Sequence, residues 1–98
     1  MPTSLGRAST DAAPRYAKQL ASHFGRKIPT EQAPEGGHRL TFEQTDVLLQ
    51  PAEDHLLIRV SAPDASALTS VREVVGSHLE RFGQRNELSV TWEEPSES

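Results

Sequence analysis

Cysteine is absent from the chain. Its absence removes disulfides, thiolate metal sites and cysteine nucleophiles together, and it fits a reducing compartment. No apolar run approaches the ~20 residues of a bilayer span, and the opening MPTSLGRAST has neither the charged region nor the apolar stretch of a secretory signal. The expectation is a cytoplasmic protein with no membrane partner. Also missing is any local arrangement that brings two imidazoles to one ion, whether His-x-His, His-x-x-x-His or His-Glu-x-x-His. The Gly36-Gly37 pair is followed by neither a helix nor a lysine, so it reads as a turn rather than a phosphate loop. One further absence is local. From Ala12 to Pro29 the chain carries no acid, although its formal net charge is −4.

What is present reads as one globular domain, since 98 residues with 35% hydrophobic and 24% charged side chains suffice for one core and not for two. Glu93, Glu94 and Glu97 supply most of the net charge, so residues 1–92 form a nearly neutral body and 93–98 an acidic flexible tail.

Ala13, Ala17, Leu20 and Phe24 recur at helical spacing, with Tyr16 and Ala21 beside them, which predicts a helix buried along one stripe. Thr10 or Asp11 is placed to cap it, Pro14 suits its first turn and Gly25 its stop. Arg15, Lys18, Ser22 and Arg26 then follow the opposite, solvent side. Beyond KIPTEQ the period drops to two. Leu40 and Phe42 alternate with Arg39, Thr41 and Glu43, DVLLQ continues the meander, and Leu56, Ile58 and Val60 alternate with Leu57, Arg59 and Ser61. APEGGH and QPAEDH supply the turns. Leu68, Val71, Val75, Leu79 and Phe82 mark a second helix, capped by Asp64 or Ser66 and ended by Gly83. A last strand sets Leu88, Val90 and Trp92 against Ser89, Thr91 and Glu93. With a short first strand over Leu5 to Ser9, the order is β-α-β-β-β-β-α-β. This is an α+β two-layer sandwich with both helices on one face of a mainly antiparallel sheet.

His23, His38, His55 and His78 are the candidates for proton or metal chemistry. Antiparallel helices place His23 and His78 at opposite ends of their layer, where each reads as a core-edge histidine. His38 and His55 begin parallel-running strands with one strand between them, about 10 Å apart along a shared edge. Too few other ligands converge there to imply a metal, and no cofactor is expected. Ser22 and Ser77 directly precede histidines, but adjacent helical residues diverge by about 100° and do not pair as nucleophile and base. The five aromatics Tyr16, Phe24, Phe42, Phe82 and Trp92 take core-facing positions, which leaves the open sheet face without a stacking platform for nucleic acid.

The blocks RYAKQLASHFGRK and VVGSHLERFGQRNELSVTW, carrying Tyr16, Lys18, Leu20, His23, Phe24, His78, Leu79, Phe82 and Trp92, resemble a bacterial domain of unknown function, family 2218, from about Arg7 to Trp92. The resemblance implies a TATA-binding-protein-like fold, similar to the C-terminal domain of phosphohexomutases. That domain's phosphate-gripping loop has no counterpart here, so its chemistry does not transfer. Members of the family occur alone or fused to siderophore-interacting flavoproteins, which implies an accessory role in siderophore iron use and assigns no catalytic residue.

The leading expectation is therefore a non-catalytic binding module that presents Arg15, Lys18, His23, Arg26 and Lys27 to an acidic partner such as a siderophore-interacting flavoprotein. One alternative is a binder of anionic small molecules on the open sheet face around Arg39, Arg59 and Thr91. A second is an enzyme with His23 or His78 as acid or base. The mainly polar outward residues of the sheet leave monomer and homodimer both open.

Overall fold

Alternation of buried apolar residues with mainly polar ones over 38–60 produces strands whose fully buried side chains lie on one side. In the computed structural model, which describes residues 2–84, 87–93 and 96–97, they form β3 (Gly37–Phe42), β4 (Thr45–Pro51) and β5 (His55–Ser61). Registers of Leu40 with Val47, Val47 with Val60 and Leu49 with Ile58 put five fully buried side chains on one face. A short edge strand, β2 (Thr30–Ala33), precedes β3, and a turn over Pro34–Gly36 joins them. The first strand, β1 (Pro2–Ser9), inserts beside β5, and β6 (Val90–Trp92) and β7 (Ser96–Glu97) pair along its other edge. The order is β2-β3-β4-β5-β1-β6, and every pairing is antiparallel.

The predicted helices form as α1 (Ala13–Phe24) and α2 (Ala65–Phe82) and lie on the same face. α1 covers β3, β4 and β5, while α2 covers β1, β4, β5 and β6. Asp64 caps α2 as expected, its carboxylate accepting the Ala67 N–H at 2.8 Å, and Gly83 ends the helix. α1 departs from expectation at its start. It begins on Ala12 without a side-chain cap, and the Thr10 hydroxyl instead accepts the Ala12 N–H at 3.0 Å, holding the preceding turn. Pro14 occupies the first turn, where its missing N–H costs nothing.

β1 also differs from the strand expected over Leu5 to Ser9. It starts at Pro2, and its buried side is Pro2, Ser4, Gly6 and Ala8, so Leu5 belongs to the open face. Gly6 is small for a reason: a Cβ there would stand 2.7 Å from the Trp92 ring, which lies over β1 and approaches Gly76 of α2. In the β3–β4 turn Glu43 holds φ of 55°, a left-handed conformation that costs a residue other than glycine or asparagine on the order of 1 kcal/mol. Glu94, Pro95 and Ser98 of the expected acidic tail lie outside the described residues, and the backbone of Ser96–Glu97 pairs with Pro2 and Thr3.

Candidate functional site

Tyr16 and Leu20 anchor α1 in the core, at 2% and 0% exposure, and this fixes which side of the helix faces water. Arg15, Lys18, Ser22, His23 and Arg26 are all exposed, as is Lys27 just beyond the helix. Arg15, Lys18, Ser22, His23 and Arg26 line one open groove of about 440 Å³, together with Gln19 and with Phe82 from the last turn of α2. Lys27 stands outside that lining. Among the described residues no carboxylate forms an ion pair with Arg15, Lys18, Arg26 or Lys27. Glu80, a partner one would pair with this face, instead accepts the Val90 N–H at 3.0 Å and pins β6 to α2. The Arg15 guanidinium stacks 5.2 Å from the Tyr16 ring.

The histidines require the largest correction. His23 and His78 are not at opposite ends of the helical layer, because their ring centroids are 5.0 Å apart. Phe24 lies 5.0 Å from His78, and Phe82 5.6 Å from His23, so the C-terminal turns of the two helices meet. Strand connectivity sets the direction of each helix but not its crossing angle, which the ridges and grooves of the contact decide. His78 Nδ1 lies 2.7 Å from the Val74 carbonyl, an arrangement in which Nδ1–H donates and the Nε2 lone pair is left free in the neutral ring.

This convergence gives part of the basicity a local cause. Helix C-termini carry unpaired carbonyls and the negative end of the helix dipole, and two of them meet here. Arg26 and Lys27 beyond α1 and Arg81 in the last turn of α2 offset that charge. Arg15 and Lys18 sit in the first half of α1 and are not explained this way.

As a cation site the histidine pair is poor. Its surroundings are basic, with Arg26 in the groove and Arg81 lining a smaller cavity beside His78, and no group of three or more metal-ligating side chains occurs among the described residues. The other pair, by contrast, is separated. His38 shares a row with Leu49 and Ile58 on the helix-covered side of the sheet, whereas His55 pairs with Ser9 in the open-face register. His55 Nδ1 instead contacts the Asp54 carboxylate at 2.8 Å, and this hydrogen bond with the imidazole charge holds the Asp54 carboxyl below its usual value.

On the open sheet face Arg39, Leu48, Arg59 and Leu5 follow one another across β3, β4, β5 and β1. Thr91 stands in the neighbouring row behind Arg7, which is itself ion-paired to Glu93 at 3.3 Å. The face is mainly polar as expected, and besides Leu57 it carries Leu5 and Leu48, all three half-buried there. Sequence reasoning also missed Gln19 and Phe82 as groove residues. Gln19 could have been found, since 15, 19, 22 and 26 form one helical stripe. Phe82 had no such signal, because its access to the groove depends on where α2 meets α1.

The family model described as "Uncharacterized protein conserved in bacteria (DUF2218)" matches residues 6–93. The chain belongs to this family. It is also similar to PA4090 from Pseudomonas aeruginosa, whose NMR structure superposes with a TM-score of 0.79 at 30% identity, over 95% of this chain and 96% of that one. No curated protein sequence matches the chain. All of the groove residues named above lie within the DUF2218 match. No helix among the described residues is long and apolar enough to cross a membrane.

Proposed function

We propose that this DUF2218 domain is a non-catalytic docking module whose α1 groove receives an acidic segment of a partner protein. The observation that carries the reading is the gathering of Arg15, Lys18 and Arg26, none with an ion-pair partner among the described residues, around one groove with an aromatic wall at Phe82. Unpaired cations exposed beside an apolar surface suit a partner that supplies carboxylates and an apolar anchor. The fusions seen in chains that resemble this one point to a siderophore-interacting flavoprotein as that partner, and so to siderophore-linked iron use. The sheet and two helices are read as a TATA-binding-protein-like scaffold that holds the groove rigid.

The test is an amide-resolved NMR titration of the domain with the flavoprotein of the same organism, at low and moderate salt. Shifts confined to Arg15–Lys27 and Phe82, and weakened by salt, are expected. The double variant Arg15→Glu, Lys18→Glu lowers affinity about tenfold or more without lowering the urea midpoint. Unchanged affinity in that variant overturns the docking face.

The open sheet face supports a second reading, a small anionic ligand held between Arg39 and Arg59 over Leu48. Shifts at those residues, with none along α1, would select it.

A further inference from the structure

A cavity of about 580 Å³ opens between the β3–β4 turn and the first turns of α2, away from the basic groove. Ile28, Phe42, Pro63, Ala67 and Val71 give it an apolar lining. Its volume falls within the ~300–1,000 Å³ of small-molecule sites, and a mostly apolar wall with few polar groups is their usual construction. The ionisable residues in the lining are both acids, Glu43 and Asp64.

Those two acids differ. Asp64 is committed to the α2 N-terminus through its bond to the Ala67 N–H, whereas Glu43 makes no ion pair or side-chain hydrogen bond among the described residues. Glu43 also holds a left-handed backbone, φ of 55°, in a two-residue hairpin turn that glycine or asparagine would form without strain. Strain kept at a cavity rim, on a residue whose replacement by glycine would remove strain and charge together, directs attention to what the carboxylate does.

We propose that this cavity binds a small organic cation with an aromatic or branched apolar body, seated against Phe42 and Val71 with its ammonium group at Glu43. The two acids of the lining disfavour the anions that suit the α1 groove, so this site is independent of the docking reading.

Three probes share one indole body and carry a positive, a neutral and a negative head group: tryptamine, tryptophol and indole-3-acetate. NMR titration of the whole chain with tryptamine is expected to give saturable shifts at Ile28, Glu43, Thr45, Ala67 and Val71, with a Kd of about 1 mM or tighter. Tryptophol binds about fivefold more weakly, and indole-3-acetate more weakly again. Ser70→Trp, which fills the cavity from an exposed helix position, abolishes the shifts. Glu43→Gly suits the positive φ, keeps the fold, and makes tryptamine and tryptophol bind alike. The proposal is overturned by the absence of saturable tryptamine shifts at these residues, by equal binding of indole-3-acetate, or by a cation preference that survives Glu43→Gly.

Discussion

Trp92 reports on the packing of the last strand more directly than any other side chain. It is the one tryptophan in the chain, its ring lies against Gly6 of β1 and near Gly76 of α2, and the Arg72 guanidinium stacks 5.0 Å from it. Gly6→Ala drives a Cβ to 2.7 Å from that ring, so the ring or the strand must shift. The expected cost is ~1–3 kcal/mol, seen as a lower urea midpoint at constant slope when Trp92 fluorescence is followed. An unchanged midpoint would mean that the ring moves aside freely and does not clamp β6. From the sequence Trp92 was legible as a core residue through its alternation with Thr91. That its neighbour is a glycine near the start of the chain was not, because no local pattern encodes a contact between β1 and β6.

The helices and the central strands were readable because each keeps one period over its length. β2 was counted in the expected order without residues assigned to it, since the side chains of Thr30, Glu31 and Gln32 are all exposed and no apolar face marks the strand. β1 was misread for the opposite reason. Its buried side is made of Pro2, Ser4, Gly6 and Ala8, small residues that carry no hydrophobic signal, while Leu5 faces away. β4 tests the register that follows from these pairings. Leu49, fully buried under the helices, and Leu48, on the open face, are adjacent in sequence. Leu49→Ala is expected to cost ~2–5 kcal/mol and Leu48→Ala less than about 1 kcal/mol by chemical denaturation, because one residue of slip exchanges the faces. Equal costs would place Leu48 in a second buried layer.

Across the molecule the charges are segregated. A chain of net charge −4 gathers Arg15, Lys18, Arg26 and Lys27 along one helix and its exit, and brings Arg81 of α2 to the same junction of helix ends. Like charges held together without ion-pair partners repel one another, and salt screens that repulsion over a Debye length of about 8–10 Å. Added sodium chloride is therefore expected to raise the thermal midpoint slightly, by the equivalent of ~0.5 kcal/mol or less, and Arg15→Gln should diminish the rise. A midpoint that falls with salt would show that attractive pairs dominate this surface. The same unpaired charge is what makes the groove available to an acidic partner, so the small cost to the fold and the proposed docking have one physical origin.

The sequence by itself determined the α+β plan, the side of each helix and central strand that is buried, and the exposure of the basic residues. Those features follow from period, capping and turn chemistry, which act over a few residues. Only the tertiary structure decided that the two helix ends converge, that His23 and His78 touch, that Phe82 walls the basic groove and that Glu43 rims an apolar cavity. Each of these depends on a crossing angle or on a contact between distant segments. Such contacts are set by how side-chain ridges fit across the whole core, and no stretch of the chain specifies that fit alone.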